Sequence, residues 1–194
     1  GVADCLKQID YDVKTITDEM LANDDLSIYE TIITGVRAYN TDENLQVHYD
    51  KLMQYINNGG TLLVQYNTNN RIGPLVAKIA PYPFTITRDR VTDERAAISF
   101  SNKSDKIITT PNGINESDFQ GWIQERGIYF AGERDAAYRS ILTMNDAGEK
   151  PLDGSIIVAD YGKGHFIYTG LSFFRELPAG VEGAYRLFTN LIEY

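Results

Sequence analysis

The chain has one cysteine, two histidines and one tryptophan in 194 residues. Its lone thiol, Cys5, cannot close an internal disulfide, and two histidines with one cysteine make no recognisable zinc ligand set. Positive charge is also scarce: 18 Lys and Arg face 27 Asp and Glu, for a net charge of -9. So acidic a surface repels a phosphate backbone, which argues against a nucleic-acid partner. No apolar run approaches the roughly 20 residues that a membrane span needs. No basic segment followed by an apolar one opens the chain, so no signal peptide is read in it. The acidic segments lack the spacing of a calcium loop, and the YGKG turn at Tyr161 lacks the glycine spacing and helix of a phosphate cradle. No cofactor is implied.

What is present is a regular α/β pattern at both ends of the chain. Residues 2–9 place Val2, Leu6 and Ile9 on one helical side, residues 11–16 alternate like a strand, and Thr17 reads as the cap of a second short helix. The β-branched run YETIIT, residues 29–34, predicts a buried strand. Thr41 then predicts an N-cap for one amphipathic helix carrying Leu45, Tyr49, Leu52, Met53 and Ile56, ended by Gly59. Leu62 to Val64 returns as a strand, and strand–helix–strand is a βαβ unit whose strands should run parallel. Residues 81–150 read as short strands and loops: Ser117 caps a brief turn to Trp122, and 126–130 forms a short strand. Residues 155–161 and 165–169 form a hairpin around GKG, and 179–194 a closing helix with Ala184, Leu187, Phe188, Leu191 and Ile192 inward. The expectation is a single α/β domain, 1–194, with a doubly wound, mainly parallel sheet and an irregular β-containing insertion at about 81–150. Such domains normally open on a strand and this chain opens on a helix, so it is expected to be excised from a longer chain just after a first strand.

The most telling stretch is GGTLLVQYN, residues 59–67. Ligands of open α/β sheets collect at the carboxyl ends of strands, and hydrolases of this architecture put a Ser or Cys nucleophile on a tight turn there. Here the turn carries Tyr66 and Asn67. No catalytic residue is assigned. The strand ends instead carry Arg37, Tyr39 and Asn40, then Gln65, Tyr66 and Asn67, then Phe173, Phe174, Arg175 and Glu176. These would line one cleft if the ends converge. They also suit ordinary loop structure, with Asn shaping turns and Arg tying loops together. GWIQERG adds Trp122, Glu125 and Arg126 as a stacking face and ion pair, although a buried Trp anchor with an internal salt bridge is the better reading. Neither His48 nor His165 has a strand-end Ser or Cys beside it, and Cys5 reads as structural. Arg88, Asp89, Arg90, Asp93, Glu94 and Arg95 read as a solvated, salt-bridged loop.

Taken together, YETIITGVRAYN, GGTLLVQYN, IAPYPFTITRDRVTDE, DFQGWIQERGIYF, YGKGHFIYTGLSFFRELPAG and AYRLFTNLI span nearly the whole chain. They resemble the C-terminal domain of large PIG-L (LmbE-like) deacetylases of Bacteroides-type bacteria. That domain is similar to class I glutamine amidotransferases and ThuA-like domains, so the resemblance implies a flavodoxin-like sheet. It also implies that zinc-dependent N-acetyl-sugar deacetylation belongs to a separate N-terminal domain of the same parent chain, whose acidic and histidine metal motif is absent here. Amidotransferases place a Cys after the strand that ends here at Gln65; Tyr66 and Asn67 replace it, so glutaminase chemistry is not carried over. After Gly170 the chain reads LSFF where many ThuA-like domains have Gly-His. The expectation is a non-catalytic accessory domain, carbohydrate-binding or assembly-promoting. Tyr39, Tyr66, Trp122 and Phe174 would offer ring faces, with Arg37, Asn40, Asn67, Glu125, Arg126 and Arg175 as polar partners. The alternative is a hydrolase using two carboxylates, Glu125 and Glu176, in one pocket. A third reading is a structural or dimerising module with a buried Trp122 and an exposed apolar patch. The chain leaves its compartment open, with an exported or periplasmic parent as one option.

Overall fold

The computed structural model describes residues 1–69, 75 and 78–194. Two short helices, α1 (Val2–Gln8) and α2 (Asp18–Asn23), come first. Strand β1 (Thr31–Thr34) leads through α3 (Ala38–Thr41), α4 (Asn44–Val47) and α5 (Tyr49–Asn57) to β2 (Thr61–Gln65). The middle holds β3 (Phe84–Ile86), β4 (Arg90–Val91), β5 (Ile98–Phe100), α6 (Lys106–Thr109), β6 (Gly127–Ile128), β7 (Ala131–Arg134), β8 (Arg139–Ser140) and β9 (Leu142–Met144). A hairpin of β10 (Ile156–Tyr161) and β11 (Gly164–Thr169) is followed by α7 (Phe173–Glu176) and α8 (Glu182–Ile192).

The central sheet is mixed, in the order β1-β2-β11-β10-β8. Its core is parallel: β2 pairs with β1, placing Ile32 opposite Leu62, and with β11, placing Phe166 opposite Leu62. β10 runs antiparallel to both β11 and β8. The sequence TLLVQ of β2 is buried along its whole length. It does not alternate, because both faces of the sheet are covered. On one face Ile32, Leu62, Val64, Phe166 and Tyr168 pack against Leu52, Met53, Tyr55 and Ile56 of α5. On the other, Leu63, Ile167, Ile156 and Val158 meet Cys5 and Leu6 of α1 and Ala184, Leu187, Phe188 and Leu191 of α8. The hairpin turn is seated by close backbone approach: a Cβ at Gly164 would lie 2.2 Å from the carbonyl oxygens of Gly60 and Ile56. Only glycine lets the start of β11 come down beside the start of β2.

Several expectations are corrected. Residues 11–16 form no strand; Tyr11 and Val13 pack sideways on the α8-side core, and the Tyr11 hydroxyl donates to Glu193 Oε1 at 2.6 Å. The single helix expected from Thr41 is two pieces, α4 and α5, preceded by the separate turn α3. Thr41 ends α3 and returns its hydroxyl to the Arg37 carbonyl at 3.2 Å, and the backbone leaves helical geometry again at His48 (φ -99°, ψ 21°). Asn115, not Ser117, caps the short 3-10 turn Glu116–Phe119, with Asp118 reaching back to the Asn115 N–H. The closing helix starts at Glu182, after Gly180 turns the chain at φ 75°. Residues 81–150 are not an appendage. Three antiparallel pairs, β3–β7, β4–β6 and β5–β9, fold them back on themselves. They also give β8 to the edge of the central sheet and Ile107, Phe130, Ile141 and Leu142 to its core.

Leu63 has no exposed surface, whereas Ile28 is 66% exposed. Leu63→Ala should therefore destabilise the fold by about 2–5 kcal/mol and Ile28→Ala by less than about 0.5 kcal/mol, as read from urea unfolding midpoints.

Candidate functional site

The parallel register brings the carboxyl ends of β1, β2 and β11 together, and polar clamps join the loops that leave them. The Arg37 N–H donates to the Tyr66 carbonyl at 2.8 Å, and the Tyr39 N–H to Asn67 Oδ1 at 2.9 Å. The Asn40 amide takes both backbone groups of Thr68, accepting from its N–H at 2.8 Å and donating to its carbonyl at 2.9 Å. Asn67 has no exposed surface and also donates to the Gln65 carbonyl at 3.1 Å. Asn40 and Asn67 therefore fasten one strand-end loop to the other, and their expected role as ligand partners is corrected to that of loop clamps. Tyr39 is buried, burial pushes its phenol pKa up, and it presents no ring face to solvent.

Tyr66 leaves the clamped turn and enters an aromatic group. Its ring stacks on Tyr129 at 5.5 Å and meets the edge of Phe174 at 5.5 Å. The Arg175 guanidinium lies over Phe174, 4.9 Å from the ring centre, and its Nε is 3.4 Å from Glu125 Oε1. Burial raises the Tyr66 phenol pKa; the charges of Arg37 and Arg175 pull it back down, and Glu125 and Tyr129 push it up. Arg37 is exposed, whereas Tyr66, Tyr129, Glu125, Phe174 and Arg175 are half-buried. Tyr129 is missing from the residues singled out in the sequence. It arrives because the Ile128 N–H donates to the Gly170 carbonyl at 2.9 Å, pinning the 127–129 segment across the end of β11. Its backbone is left-handed (φ 57°), with its carbonyl turned to accept from the Tyr168 hydroxyl at 2.6 Å. Arg37 (φ 61°) and Gln124 (φ 65°) share that disfavoured geometry, so three of the four non-glycine residues with positive φ among the described residues surround this patch. Such strain collects at functional sites.

Below the patch lies a packed floor. Trp122 is 4% exposed, stacks on Phe119 at 5.5 Å, tilts against Phe173 at 5.9 Å and donates Nε1–H to the Asp118 carbonyl at 3.0 Å. Its reading as a stacking face for a ligand is corrected to that of a core anchor. Arg126 is equally buried, and burial pushes its pKa down to about 10. Its guanidinium donates to the Ala96 carbonyl at 2.9 and 3.2 Å and to the Phe119 carbonyl at 2.5 Å, and it faces the rings of Phe119 and Trp122. It ties three loops and is out of reach of a ligand. The Glu176 carboxylate has no exposed surface, accepts from the Ile123 N–H at 3.0 Å, and burial raises its pKa. It therefore offers no surface to a substrate, and Glu125 is engaged with Arg175.

Among the described residues, no group of three or more His, Cys, Asp and Glu is placed to hold a metal. His165 sits near the hairpin turn with its Nδ1 2.8 Å from Asp160 Oδ1, at the opposite end of β11 from the patch. Cys5 is buried on α1. Among the described residues, no helix is long and apolar enough to cross a membrane. The exposed large apolar side chains Ile9, Ile28, Val47 and Ile123 lie on four separate segments. Clefts of about 510 and 410 Å³ lie elsewhere, one beside the start of α8 and one at the amino end of β2.

No protein-family model matches the chain, and no curated protein matches it. Solved structures do share the fold. The cytoplasmic protein STM1381 from Salmonella typhimurium LT2 is similar at 14% identity and a TM-score of 0.60, over 98% of this chain and 84% of that one. STM3548 from Salmonella typhimurium, also a cytoplasmic protein, is similar at 11% identity and 0.57, over 98% and 83%. A β-galactosidase from Rahnella sp. R3 overlays more loosely, at 16% identity and 0.48, over 89% of this chain and 23% of that one. At these identities the likeness is one of fold alone.

Three measurements check the floor. The fluorescence of Trp122, the sole tryptophan, should be blue-shifted and resist acrylamide until the protein unfolds. Arg126→Ala strands two buried carbonyls and should cost at least about 2 kcal/mol in urea unfolding. Because burial raises the folded pKa of Glu176, its protonated form favours the native state; that contribution is complete below the ordinary carboxylate range and is lost as pH rises through the folded pKa. Glu176→Gln should therefore gain stability relative to the parent at neutral pH, with the gain shrinking as the pH is lowered.

Proposed function

We propose that this chain is a non-catalytic accessory domain of flavodoxin-like, amidotransferase-related type. In its parent protein it serves a PIG-L-type N-acetyl-sugar deacetylase domain, and its strand-end patch binds carbohydrate. The observation that carries this reading is Tyr66. It occupies the turn where hydrolases of this architecture hold their nucleophile, and it stands there between the rings of Tyr129 and Phe174. Aromatic faces flanked by guanidinium and carboxylate groups suit a pyranose, which presents an apolar C–H face and a rim of hydroxyls. The residues first expected to form the ligand wall reduce to an outer set: Arg37, Tyr66, Glu125, Phe174 and Arg175, joined by Tyr129. The PIG-L relationship rests on the sequence resemblance, and the carbohydrate reading on the composition of this patch.

A glycan array of N-acetylated, neutral and acidic oligosaccharides, followed by calorimetry on the hits, tests it. Tyr66→Ala should weaken binding at least about tenfold, the loss of one stacking face, while the circular-dichroism melt stays close to that of the parent. Unchanged affinity in that variant would remove the patch as the binding site.

A further inference from the structure

We infer that the strand-end patch selects an acidic carbohydrate, a pyranose bearing a carboxylate, and that Arg37 is the residue that contacts the anion. This rests on the carbohydrate reading above and narrows its ligand class. The first observation is the distribution of charge. The chain carries 27 acidic residues and a net charge of -9, yet residues 31–41 and 61–88, which contain β1, β2 and the segments leaving their carboxyl ends, hold no Asp or Glu. The described residues of the same two stretches include Arg37, Lys78 and Arg88. In an otherwise acidic chain these stretches add positive and no negative charge, which lowers the repulsion an anion meets at the carboxyl ends of β1 and β2.

The second observation is how the charges at the patch are paired. Glu125 is the carboxylate beside Tyr66, and it is already matched by Arg175 at 3.4 Å. Glu176 lies in the floor, capped by the Ile123 N–H. Arg37 makes no ion pair among the described residues, and its side chain is exposed. It is nevertheless held in place: its N–H is bonded to the Tyr66 carbonyl, its carbonyl accepts from the Thr41 hydroxyl at 3.2 Å, and its backbone keeps the left-handed geometry (φ 61°) that non-glycine residues seldom adopt. An unmatched guanidinium carried on a fixed backbone next to an aromatic group fits a ligand with a ring face and a carboxylate, because guanidinium and carboxylate match in planar, two-bond geometry. A neutral sugar would leave that charge without a partner.

The test compares two trisaccharides that differ only at C6, cellotriose and its glucuronate counterpart, by calorimetry on the intact chain at low and moderate salt. Inorganic phosphate serves as a competitor. The uronate should bind at least about tenfold more tightly, equivalent to about 1.4 kcal/mol, and its advantage should shrink as salt rises. Arg37→Gln should abolish the advantage of the uronate over cellotriose, while the melting temperature stays close to that of the parent. Equal affinity for the two sugars in the parent protein would overturn this inference and leave the carbohydrate reading standing. Phosphate competing as strongly as the uronate would overturn the assignment to a sugar acid. Failure of a correctly folded protein to bind either trisaccharide or any member of the array would overturn the carbohydrate reading itself.

Discussion

The parallel pairing of β2 with β1 on one side and β11 on the other is the constraint on which the rest of the structure depends. Because β2 is covered on both faces and paired along both edges, it has no freedom to slide: a one-residue slip would exchange Leu62 and Val64 for Leu63 between the two cores. That register places Thr34, Val64 and Tyr168 at one level, so the loops that follow must leave from neighbouring points. Gly164 permits it by letting the start of β11 lie against the Gly60 carbonyl at the other end of the sheet.

At the carboxyl ends, the buried polar side chains hold the geometry and the half-buried ones remain for recognition. Asn40 and Asn67 spend their hydrogen-bonding capacity on backbone groups of the opposite loop. Arg126 and Trp122 do the same for the segment that delivers Glu125 and Tyr129. Once those interactions are formed, the backbone has little room to relax. This is how left-handed conformations at Arg37, Gln124 and Tyr129 persist despite costing of order 1–3 kcal/mol each. Five buried polar atoms at this end, Thr34 Oγ1, Tyr39 Oη, Gln65 Oε1, Ser155 Oγ and Arg175 Nε, have no hydrogen-bond partner among the described residues. The strand ends are thus where these unpaired polar atoms gather among the described residues.

Much of the frame was legible beforehand. The βαβ unit, the GKG hairpin and the inward face of the last helix follow from periodicity and from glycine placement, which are local properties. The breaks in the helix after β1 were not. A stripe from Leu45 to Ile56 has the same spacing whether the helix is continuous or interrupted, and only the return of the Thr41 hydroxyl and the turn at His48 decide for interruption. The pairing of the short strands in residues 81–150 was hidden for a related reason. Segments of two to four residues have no period to read, and their partners lie tens of residues away.

The candidate site divides along the same line. The sequence by itself determined that the turn after the central strand carries Tyr66 and Asn67 in place of Ser or Cys, that acidic residues are missing from the two strand-end stretches, and that aromatic and guanidinium residues follow three strands. These are matters of composition and order. Which of those side chains face outward was decided only by tertiary structure. Asn67 looks as suitable for a ligand as Tyr66 does until long-range hydrogen bonds claim it, and Tyr129 joins the patch only because Gly170 pins the segment before it. Burial is a property of the whole chain's packing, and no single segment contains it.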